Sequence, residues 1–405
     1  MTDLVVYDID ELVVGPGTGE VVEVVENAAI AVEDGEVVAV GDTDEVTSDH
    51  PPSAADGTID AAGQAVVPGF VDPHTHALFA GDRSDEFEAR LRGKTYQEIL
   101  ADGGGILRTV RAVRRADEDT LLANLLSHLD VMLEHGTTTV EVKSGYGLDT
   151  ETELEMLRVG RRADEQHPVD VVPTFMGAHA VPEGTDADEY VDEVVEEQLP
   201  AVAEQGIAEF CDVFCEEGVF SVEQSRRVLE AGLDHGLTPK VHAEELSHLG
   251  GTRLAAEVGA ASADHLLHAT PDDVDALVDA GVVPVLLPGT AFGLGAEYAD
   301  AGTMLDRGAP VAIATDFNPN CHSHSMGFAT SLACVGMGMT PAQALVAGTA
   351  NAARALDLQD GRGTLREGTP ADFVVLDATS FVHVPYQYGV NLVDTVVKAG
   401  ERVVD

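Results

Sequence analysis

Eight short apolar runs recur along the middle of this chain, and stretches with helical periodicity fill the gaps between them. Each run, with the helical stretch that follows it, takes about 30 residues, the size of one strand–helix unit of a parallel sheet. Eight such units favour a closed (β/α)8 barrel over an open doubly wound sheet. The runs are 66–72, 136–142, 169–174, 207–214, 237–241, 262–266, 282–287 and 310–314.

Both chain ends differ in pattern from the middle. Residues 1–63 contain short alternating strands with a hairpin signal at Asp34-Gly35, and residues 361–405 contain further strands around a turn at Gly400. The two ends are therefore predicted to pair into one small accessory β-sheet domain. The barrel is predicted to occupy 64–360 between them.

The segments between the runs carry helix and loop signals. Asp119-Thr120 is predicted to open a long helix that closes at Gly136, and Ser221 begins a weak capping box. The glycines at 103–105 do not form a phosphate loop, because no strand leads directly into them and no Gly-Lys-Ser/Thr sequence follows. We predict that 96–109 form a flexible loop or lid beside the barrel mouth.

The charge balance restricts the possible partners. The chain has 72 acidic and 22 basic residues, a formal net charge of -50, which excludes the basic footprint of a nucleic-acid-binding protein. The acids are spread through predicted helices and do not form a tail. This distribution is typical of a surface adapted to concentrated salt, where at ~1 M the Debye length is about 3 Å. The source is therefore expected to be a halophile.

Several absences predict the compartment. No apolar run approaches the roughly 20 residues of a membrane helix, and the first residues lack the basic and apolar segments of a signal peptide. The four cysteines, Cys211, Cys215, Cys321 and Cys334, show no disulfide framework and are expected to be free thiols. We therefore expect a soluble cytoplasmic protein.

The first apolar run leads into a pair of histidines. His74 and His76 follow 66–72 with one residue between them. Alternate side chains of a strand share a face, so both imidazoles point the same way and can hold one metal ion. Such a pair is common without a metal, but this one closes a strand, where a (β/α)8 barrel keeps its chemistry. The hypothesis requires matching ligands at later strand ends.

Two later runs supply those ligands. His242 follows the fifth run and Asp316 follows the eighth. A mononuclear hydrolytic centre needs about three or four nitrogen or oxygen ligands and one position for water. Each residue alone also has a structural interpretation, as a histidine bonded to a carbonyl group or an aspartate capping a helix. Their occurrence together with His74 and His76 favours the metal site.

Further polar residues refine this hypothesis. The fourth run, 207–214, has no lysine of the kind that is carbamylated between two metals, so one metal per chain is predicted. Lys240 lies deeper on the same face as the fifth-run histidine, where an internal ion pair is expected. His179 ends the third run and is expected to face the barrel mouth. His322 and His324 follow the eighth run closely enough that they could lie at the edge of the mouth.

With these residues in place, the chain resembles the imidazolonepropionases, a family of the amidohydrolase superfamily that catalyses the third step of histidine degradation. The resemblance covers essentially the full length. His-x-His and the late aspartate imply the superfamily, and the remaining motifs imply the substrate. The motifs are VDPHTHALFAGDRSDEFEARLRGKTY, KSGYGL, TFMGAHAVP, CDVFCEEGVF, KVHAEEL, SADHLLH, TDFNPN and GTPADFVVLD.

The resemblance implies one zinc or iron ion per chain, held by His74, His76, His242 and Asp316. It also implies a set of residues that contact the substrate or the product. One departure is Asn320-Cys321, where bacterial members commonly have glycine followed by serine or threonine. The implied contact residues are Arg83, Tyr146, His179, Glu245, Asn318 and Asn320.

The chemistry of the implied reaction assigns roles. Opening a cyclic amide with water needs an activated water, a polarised carbonyl and a proton for the departing nitrogen, and a metal lowers the pKa of water from about 15.7 toward ~7. Asp316 and His265 are placed to orient or deprotonate that water, and Glu245 to carry a proton to the ring nitrogen. Which of the three is the base is left open. Arg83 is the expected partner of the propionate carboxylate of this small anionic substrate.

Two other functions remain open. A deaminase of a heterocyclic base would share the ligands and the activated water, although a neutral base offers no carboxylate for Arg83. A barrel without catalysis, acting as an assembly protein, would have no use for the four ligands. The sequence leaves zinc against iron undecided, and a homodimer is possible.

Overall fold

Residues 2–18, 21–95, 98–99 and 102–405 are described by the computed structural model. Eight parallel strands, in chain order, form a sheet that curves into a barrel. Beyond the ends of its first and eighth strands Thr75 pairs with Phe317, and the backbone N–H of His76 donates to the Phe317 carbonyl at 2.9 Å. The predicted (β/α)8 barrel is confirmed. Its strands are Phe70–Asp72, Thr137–Lys143, Asp170–Ala178, Phe210–Cys215, Thr238–Ala243, Ser262–His265, Val283–Leu286 and Ala312–Ile313.

The first predicted run is two strands and not one. Val66–Pro68 pairs with strands of the accessory sheet, and only Phe70–Asp72 belongs to the barrel. The strand is interrupted at Gly69. This glycine packs so closely that a Cβ there would lie 2.4 Å from the hydroxyl oxygen of Thr138. Pro68 also lacks an N–H to continue a ladder. The run therefore links the two sheets, while the division at 63 and 360 stays a prediction.

The accessory sheet is mixed and combines both chain ends, as predicted. Its hairpin turns at Asp34-Gly35, both with positive φ, and its last turn contains Gly400. Leu4–Pro16 pairs with Gly57–Asp60 on part of one edge. The order of the other strands is Glu401–Val404, Val393–Lys398, Phe373–Leu376, Val66–Pro68, Leu4–Pro16, Val22–Glu33 and Glu36–Asp42.

Helices surround the barrel. The long helix Glu118–Glu134 is capped by Asp117, whose side chain accepts from the Thr120 N–H at 2.9 Å, so the predicted start at Asp119 is two residues late. The capping box of Ser221 is present. Further α-helices are Thr43–Asp49, Ser84–Leu91, Ile106–Val113, Thr150–Gln166, Ala187–Glu193, Leu199–Gln205, Val222–Asp234, Gly251–Val258, Pro271–Ala280, Pro288–Leu294, Ala301–Asp306, Met326–Met337, Pro341–Ala347, Ala350–Ala355 and His383–Tyr386.

The predicted loop at 96–109 is only partly a loop. The helix Ile106–Val113 takes its last residues, and the N–H of Gly105 donates to Glu86 Oε1 at 3.1 Å. Residues 96, 97, 100 and 101 lie outside the described part of the chain. The proposal that this segment acts as a lid therefore stays a prediction.

The barrel interior is layered. Apolar side chains fill its lower end, among them Val71, Val172, Phe210 and Val283, and the helix Ala350–Ala355 packs against them. Charged side chains lie above this layer, and the histidines lie at the carboxyl ends of the strands. In the described ranges, none of the helices has the length and apolar character needed to span a lipid bilayer. All four cysteines are free thiols, as predicted.

Candidate metal centre and active site

His74 and His76 follow the first barrel strand, and both rings are buried. His74 Nδ1 lies 2.6 Å from Asp264 Oδ2, so we assign the ring proton to Nδ1 and a lone pair to Nε2. That buried Nε2 has no hydrogen-bond partner within the described residues. His76 Nε2 lies 3.3 Å from Nε2 of His242. The two imidazoles therefore direct nitrogen atoms toward the same space, as the spacing predicted.

His242 and Asp316 complete the group. Nδ1 of His242 lies 3.0 Å from Asp212 Oδ2, which leaves its Nε2 directed at the other histidines. Asp316 Oδ1 lies 3.6 Å from His74 Nε2 and 3.8 Å from His76 Nε2. The other oxygen of Asp316 accepts from the Thr290 hydroxyl. Four ligand atoms from three strand ends thus lie within 3.3–3.8 Å of neighbours in the set.

These separations fit a metal ion. Ligands about 2.0–2.1 Å from a tetrahedral metal lie about 3.3–3.4 Å from one another. The unpartnered Nε2 of His74, and the Nε2 atoms of His76 and His242 at 3.3 Å from each other, are spaced as the ligands of one ion would be. His265 is close as well: one of its ring nitrogens lies within 4.8 Å of ligand atoms of His74 and His242.

Three strand ends adopt left-handed backbone at the site. Glu244 has φ 51°, His265 has φ 78° and Asp316 has φ 50°. Non-glycine residues rarely adopt this conformation, and such strain is concentrated at functional sites. Strict alternation would point consecutive side chains to opposite faces, but at His265 this conformation lets both face the barrel interior: His265 lines the cavity, and Asp264 lies in the charged layer below it.

A layer of charged side chains lies beneath the histidines, and the sequence reasoning identified only part of it. Lys143 Nζ lies 2.7 Å from both Glu141 Oε2 and Asp212 Oδ2, and Lys240 Nζ lies 3.1 Å from Glu141 Oε1. Asp264 Oδ2 lies 3.9 Å from Lys240 Nζ. Lys240 was predicted to form an internal ion pair. The other members of the layer could have been found from single acidic residues inside apolar runs, such as Asp212 between two phenylalanines, because a buried acid needs a partner.

The charges in this layer support one another. Burial alone would raise the pKa of Asp212, but His242 and Lys143 outweigh it and hold the pKa well below its usual value. Burial alone would lower the pKa of Lys143, but Asp212, Glu141 and Asp264 together raise it. Both groups are therefore ionised at neutral pH. Two of the carboxylates, Asp212 and Asp264, in turn hold the rings of His242 and His74.

Above the ligands lies a cavity of about 260 Å³. It brings together every substrate residue that the sequence singled out. It also contains residues that the sequence reasoning missed, among them Arg90, Phe214 and Thr290. The predicted residues that line it are Arg83, Tyr146, His179, Glu245, His265, Asn318 and Asn320, together with three of the predicted metal ligands, His76, His242 and Asp316.

Glu245 and His179 have strongly altered acidities. Burial, with the carboxylates of Asp316 and Glu216, raises the pKa of Glu245 to about 8, so its carboxyl is protonated at neutral pH. Burial lowers the pKa of His179 to about 3, so its ring is neutral. His179 Nδ1 lies 2.9 Å from the Gly145 carbonyl, which places the proton there and leaves Nε2 as an acceptor.

The loop after the eighth strand uses its polar side chains internally. The Asn318 side-chain amide donates to the Asp316 carbonyl at 2.7 Å, and its oxygen accepts from the N–H groups of Asn320 and Cys321. Asn318 therefore shapes the cavity wall through its own turn. The Cys321 thiol lies 3.6 Å from the Thr315 carbonyl, on the side of a second cavity and not of the first.

His322 and His324 lie beside the site and do not line its cavity. They form an aromatic cluster with Phe317 and His128, in which the ring centres of His324 and Phe317 are 3.9 Å apart. Burial lowers the pKa of His324 to about 3. The neutral His324 ring therefore packs behind the strand-eight loop.

Family models and proteins of known name are similar to this chain over nearly its whole length. The model of the amidohydrolase family matches residues 65–403, and that of an imidazolonepropionase-like composite domain of bacteria matches residues 28–52. The imidazolonepropionase of Haloarcula marismortui is 74% identical over 99% of this chain and 96% of its own length. That of Geobacillus kaustophilus is 49% identical over 94% of this chain and 91% of its own length.

The chain belongs to the imidazolonepropionase family. It is therefore a hydrolase of the amidohydrolase type, as its motifs predicted. Another imidazolonepropionase, from Halobacterium salinarum, is 63% identical over 98% of this chain and 97% of its own length. Relatives from halophilic organisms agree with the salt adaptation inferred from the net charge.

Solved structures of other enzymes share the fold of this imidazolonepropionase-family chain. An adenosine deaminase from Xanthomonas campestris with bound zinc has a TM-score of 0.76 at 19% identity and covers 100% of this chain and 93% of its own. The ochratoxinase of A. niger has a TM-score of 0.73 at 18% identity and covers 99% of this chain and 95% of its own. At these identities the likeness concerns the fold alone.

Proposed function

We propose that this protein hydrolyses the cyclic amide of 4-imidazolone-5-propanoate with water to give N-formimino-L-glutamate, a step of histidine degradation. One observation carries the proposal: four ligand atoms converge at the floor of a cavity whose wall holds Arg83, Tyr146, His179 and Glu245. The imidazolonepropionases to which it is similar bear the name of this substrate.

We propose one zinc or iron ion per chain, held by His74, His76, His242 and Asp316. Imidazole nitrogens with one carboxylate oxygen suit either metal. When bound, such an ion polarises a carbonyl and lowers the pKa of water. The buried, unpartnered Nε2 of His74 supports this assignment.

The acidities of the side chains divide the remaining roles. Glu245 is protonated at neutral pH and lines the cavity, so it is the group that donates a proton to the departing ring nitrogen. Asp316, whose Oδ1 faces the ligand histidines, accepts the proton of the attacking water. His265 Nε2 lies 3.7 Å from Glu245 Oε2, too far for a hydrogen bond, and orients the water.

The substrate contacts follow the same logic. The neutral His179 offers Nε2 as an acceptor, and Tyr146 lines the wall beside it, with 5.2 Å between the centres of the two rings. Asn320 lies at the cavity edge, and Asn318 holds its backbone in place. Arg83 provides a guanidinium for the propionate carboxylate.

The test is turnover. Purified protein loaded with zinc or iron is given imidazolonepropanoate in concentrated KCl, and N-formimino-L-glutamate is measured by mass spectrometry. We expect formation of this product and its loss in His242→Ala. Absence of turnover in the loaded protein, or undiminished turnover in the variant, contradicts the proposal. Release of ammonia from heterocyclic bases would favour a deaminase instead.

We further propose that the protein works in the cytoplasm as a homodimer and binds no nucleic acid. Residues 317–353 and 378–393 contain no Asp, Glu, Lys or Arg, unlike the rest of this acidic chain. Their helices pack together and leave Val335 80%, Tyr386 75% and Tyr388 69% exposed. Two copies with a charge of -50 each approach most easily through such an uncharged face.

Light scattering after size-exclusion chromatography tests the dimer. We expect twice the chain mass of 42.4 kDa for the unmodified protein and a monomer for Val335→Glu. Leu233→Glu, at an exposed apolar residue on another helix, is the matched control and should leave the mass unchanged. A monomeric unmodified protein contradicts the proposal.

A further inference from the structure

Arg83, the arginine expected to bind the substrate carboxylate, already has an anionic partner. Its Nε donates to Glu86 Oε2 at 2.9 Å, and both side chains are buried. Glu86 stands three residues along the same helix, Ser84–Leu91, which begins directly after Arg83. The pair as a whole carries no net charge. It therefore offers hydrogen-bond donors to an incoming carboxylate, but no uncompensated positive charge.

Arg90 lies on the same helix face, four residues beyond Glu86, and lines the same cavity. Its Nε is buried without a hydrogen bond, and no ion pair joins Arg90 to any residue in the described ranges. The oxygens of Glu86 are used by Arg83, the Gly105 N–H and Arg108. The nearest aromatic contact of Arg90 is weak, with 6.0 Å between its guanidinium carbon and the Phe87 ring centre.

An unpaired arginine is unusual in this chain. There are only 22 lysines and arginines against 72 acids, and most of those 22 hold a carboxylate. Arg92, two residues further along the helix, pairs with Glu88 at 2.7 Å and points to solvent. A surface so rich in acids offers Arg90 many partners, yet Arg90 lines the cavity and forms no ion pair with the described residues.

We propose that Arg90 supplies the net positive charge that binds the propionate carboxylate of the substrate, while the Arg83–Glu86 pair orients it. This inference rests on the proposed function and adds a substrate-binding residue to it. Burial and then the charge of Arg83 lower the pKa of Arg90, and an anion that binds beside both guanidinium groups offsets the repulsion between them.

Arg90 also stands where the substrate enters. With Arg83 and Asn320 it lines a second cavity of about 580 Å³ beside the first. A carboxylate that passes from the second cavity into the first moves along these three residues. A fixed cation on this path favours entry as well as binding, because salt screens a partly buried charge much less than it screens the exposed acids of the surface.

The experiment compares Arg90→Met with Arg92→Met, its matched control on the same helix, and with Arg90→Lys. Each metal-loaded protein is assayed in the same KCl concentration on imidazolonepropanoate and on its propionamide analogue, which has the same ring and no charge. We expect Arg90→Met to raise KM for the acid about ten- to a hundredfold, the cost of a hydrogen bond to a charged group. The kcat value should change little.

The amide analogue separates a binding role from a structural one. Arg90→Met should leave kcat/KM for the amide within about twofold, Arg90→Lys should recover part of the affinity for the acid, and Arg92→Met should match the unmodified protein. An unchanged KM for the acid, or an equal loss on acid and amide, overturns the inference. Neither result affects the proposed function, which fails only if the unmodified protein does not turn over the acid.

Discussion

The barrel mouth and the charged layer beneath it are built from the same strands but satisfy their polar atoms in opposite ways. In the lower layer, Lys143 lies 2.7 Å from each of two carboxylates, and Lys240 lies 3.1 Å from one. In the mouth, the buried nitrogens His74 Nε2, His76 Nδ1 and His265 Nδ1 have no hydrogen bond from the described residues. Buried polar atoms without partners are costly.

This difference separates two tasks. A layer whose charges are paired can hold side chains in fixed positions, although Glu141 Oε2 contacts Lys143 as an ion pair and makes no hydrogen bond with the described residues. Unpaired nitrogen atoms gain free energy when something else binds to them, which is why we propose the metal and the substrate at this level of the barrel. Asp212 and Asp264 connect the layers, since each pairs below and holds a ligand histidine above.

The largest expected effect concerns the mouth. His74→Ala removes a ligand and should abolish stoichiometric metal binding and lower kcat/KM at least about a thousandfold, because the metal stabilises several kcal/mol of developing charge. Metal content by atomic spectroscopy and turnover measure this. His128→Ala, outside the cavity, is the control. If His74→Ala kept both its metal and its activity, the unpaired nitrogen atoms of the mouth would not be the metal ligands, and the contrast with the lower layer would be wrong.

Next is the stability of the lower layer. Lys143→Met leaves Asp212 and Glu141 without their shared cation and should cost about 3–5 kcal/mol of unfolding free energy. Denaturant unfolding at constant KCl measures the loss. Arg226→Met, which breaks an exposed pair with Glu257, should change stability by less than about 1 kcal/mol. Equal stability of the two variants would contradict a structural role for the layer.

The link between the layers should give a smaller effect. Asp264→Asn keeps the shape of the side chain but removes the charge that holds the Nδ1–H of His74, and should weaken metal binding about 10–100-fold. Competition with a chelator measures the affinity. Asp273→Asn alters a helix cap outside the barrel and should leave affinity unchanged. Unchanged affinity in Asp264→Asn would mean that the layers act independently.

The smallest effect concerns Glu245. Its pKa is about 8 in the folded protein against 4.5 for an exposed glutamate, so between these values the folded state binds more protons than the unfolded state. Stability of the metal-free protein therefore falls as pH rises from about 4.5 to about 8. Glu245→Gln should remove this part of the decrease and stabilise the metal-free protein at pH 8 by at least about 1 kcal/mol, with no gain at pH 4.5. Parallel stability profiles would show that Glu245 is not held protonated.

Local patterns were enough for the architecture and for part of the site. The eight strands appear in the predicted order, and the His-x-His pair brings two nitrogens to one place because alternation in a strand is a local property. The first strand was misjudged at Gly69, where contact with Thr138 breaks a run that looks continuous in sequence. That contact joins distant segments, although Pro68-Gly69 was a local sign of an interruption of the strand there.

What the sequence by itself determined is the set of strands, their order and which residue types end them, since these depend on neighbours within a few residues. Only the tertiary structure decided the pairing. His74 meets Asp264 across 190 residues, and Lys143 meets Asp212 across 69. Such pairs depend on the register of strands around the barrel, which fixes the depth of each inward side chain.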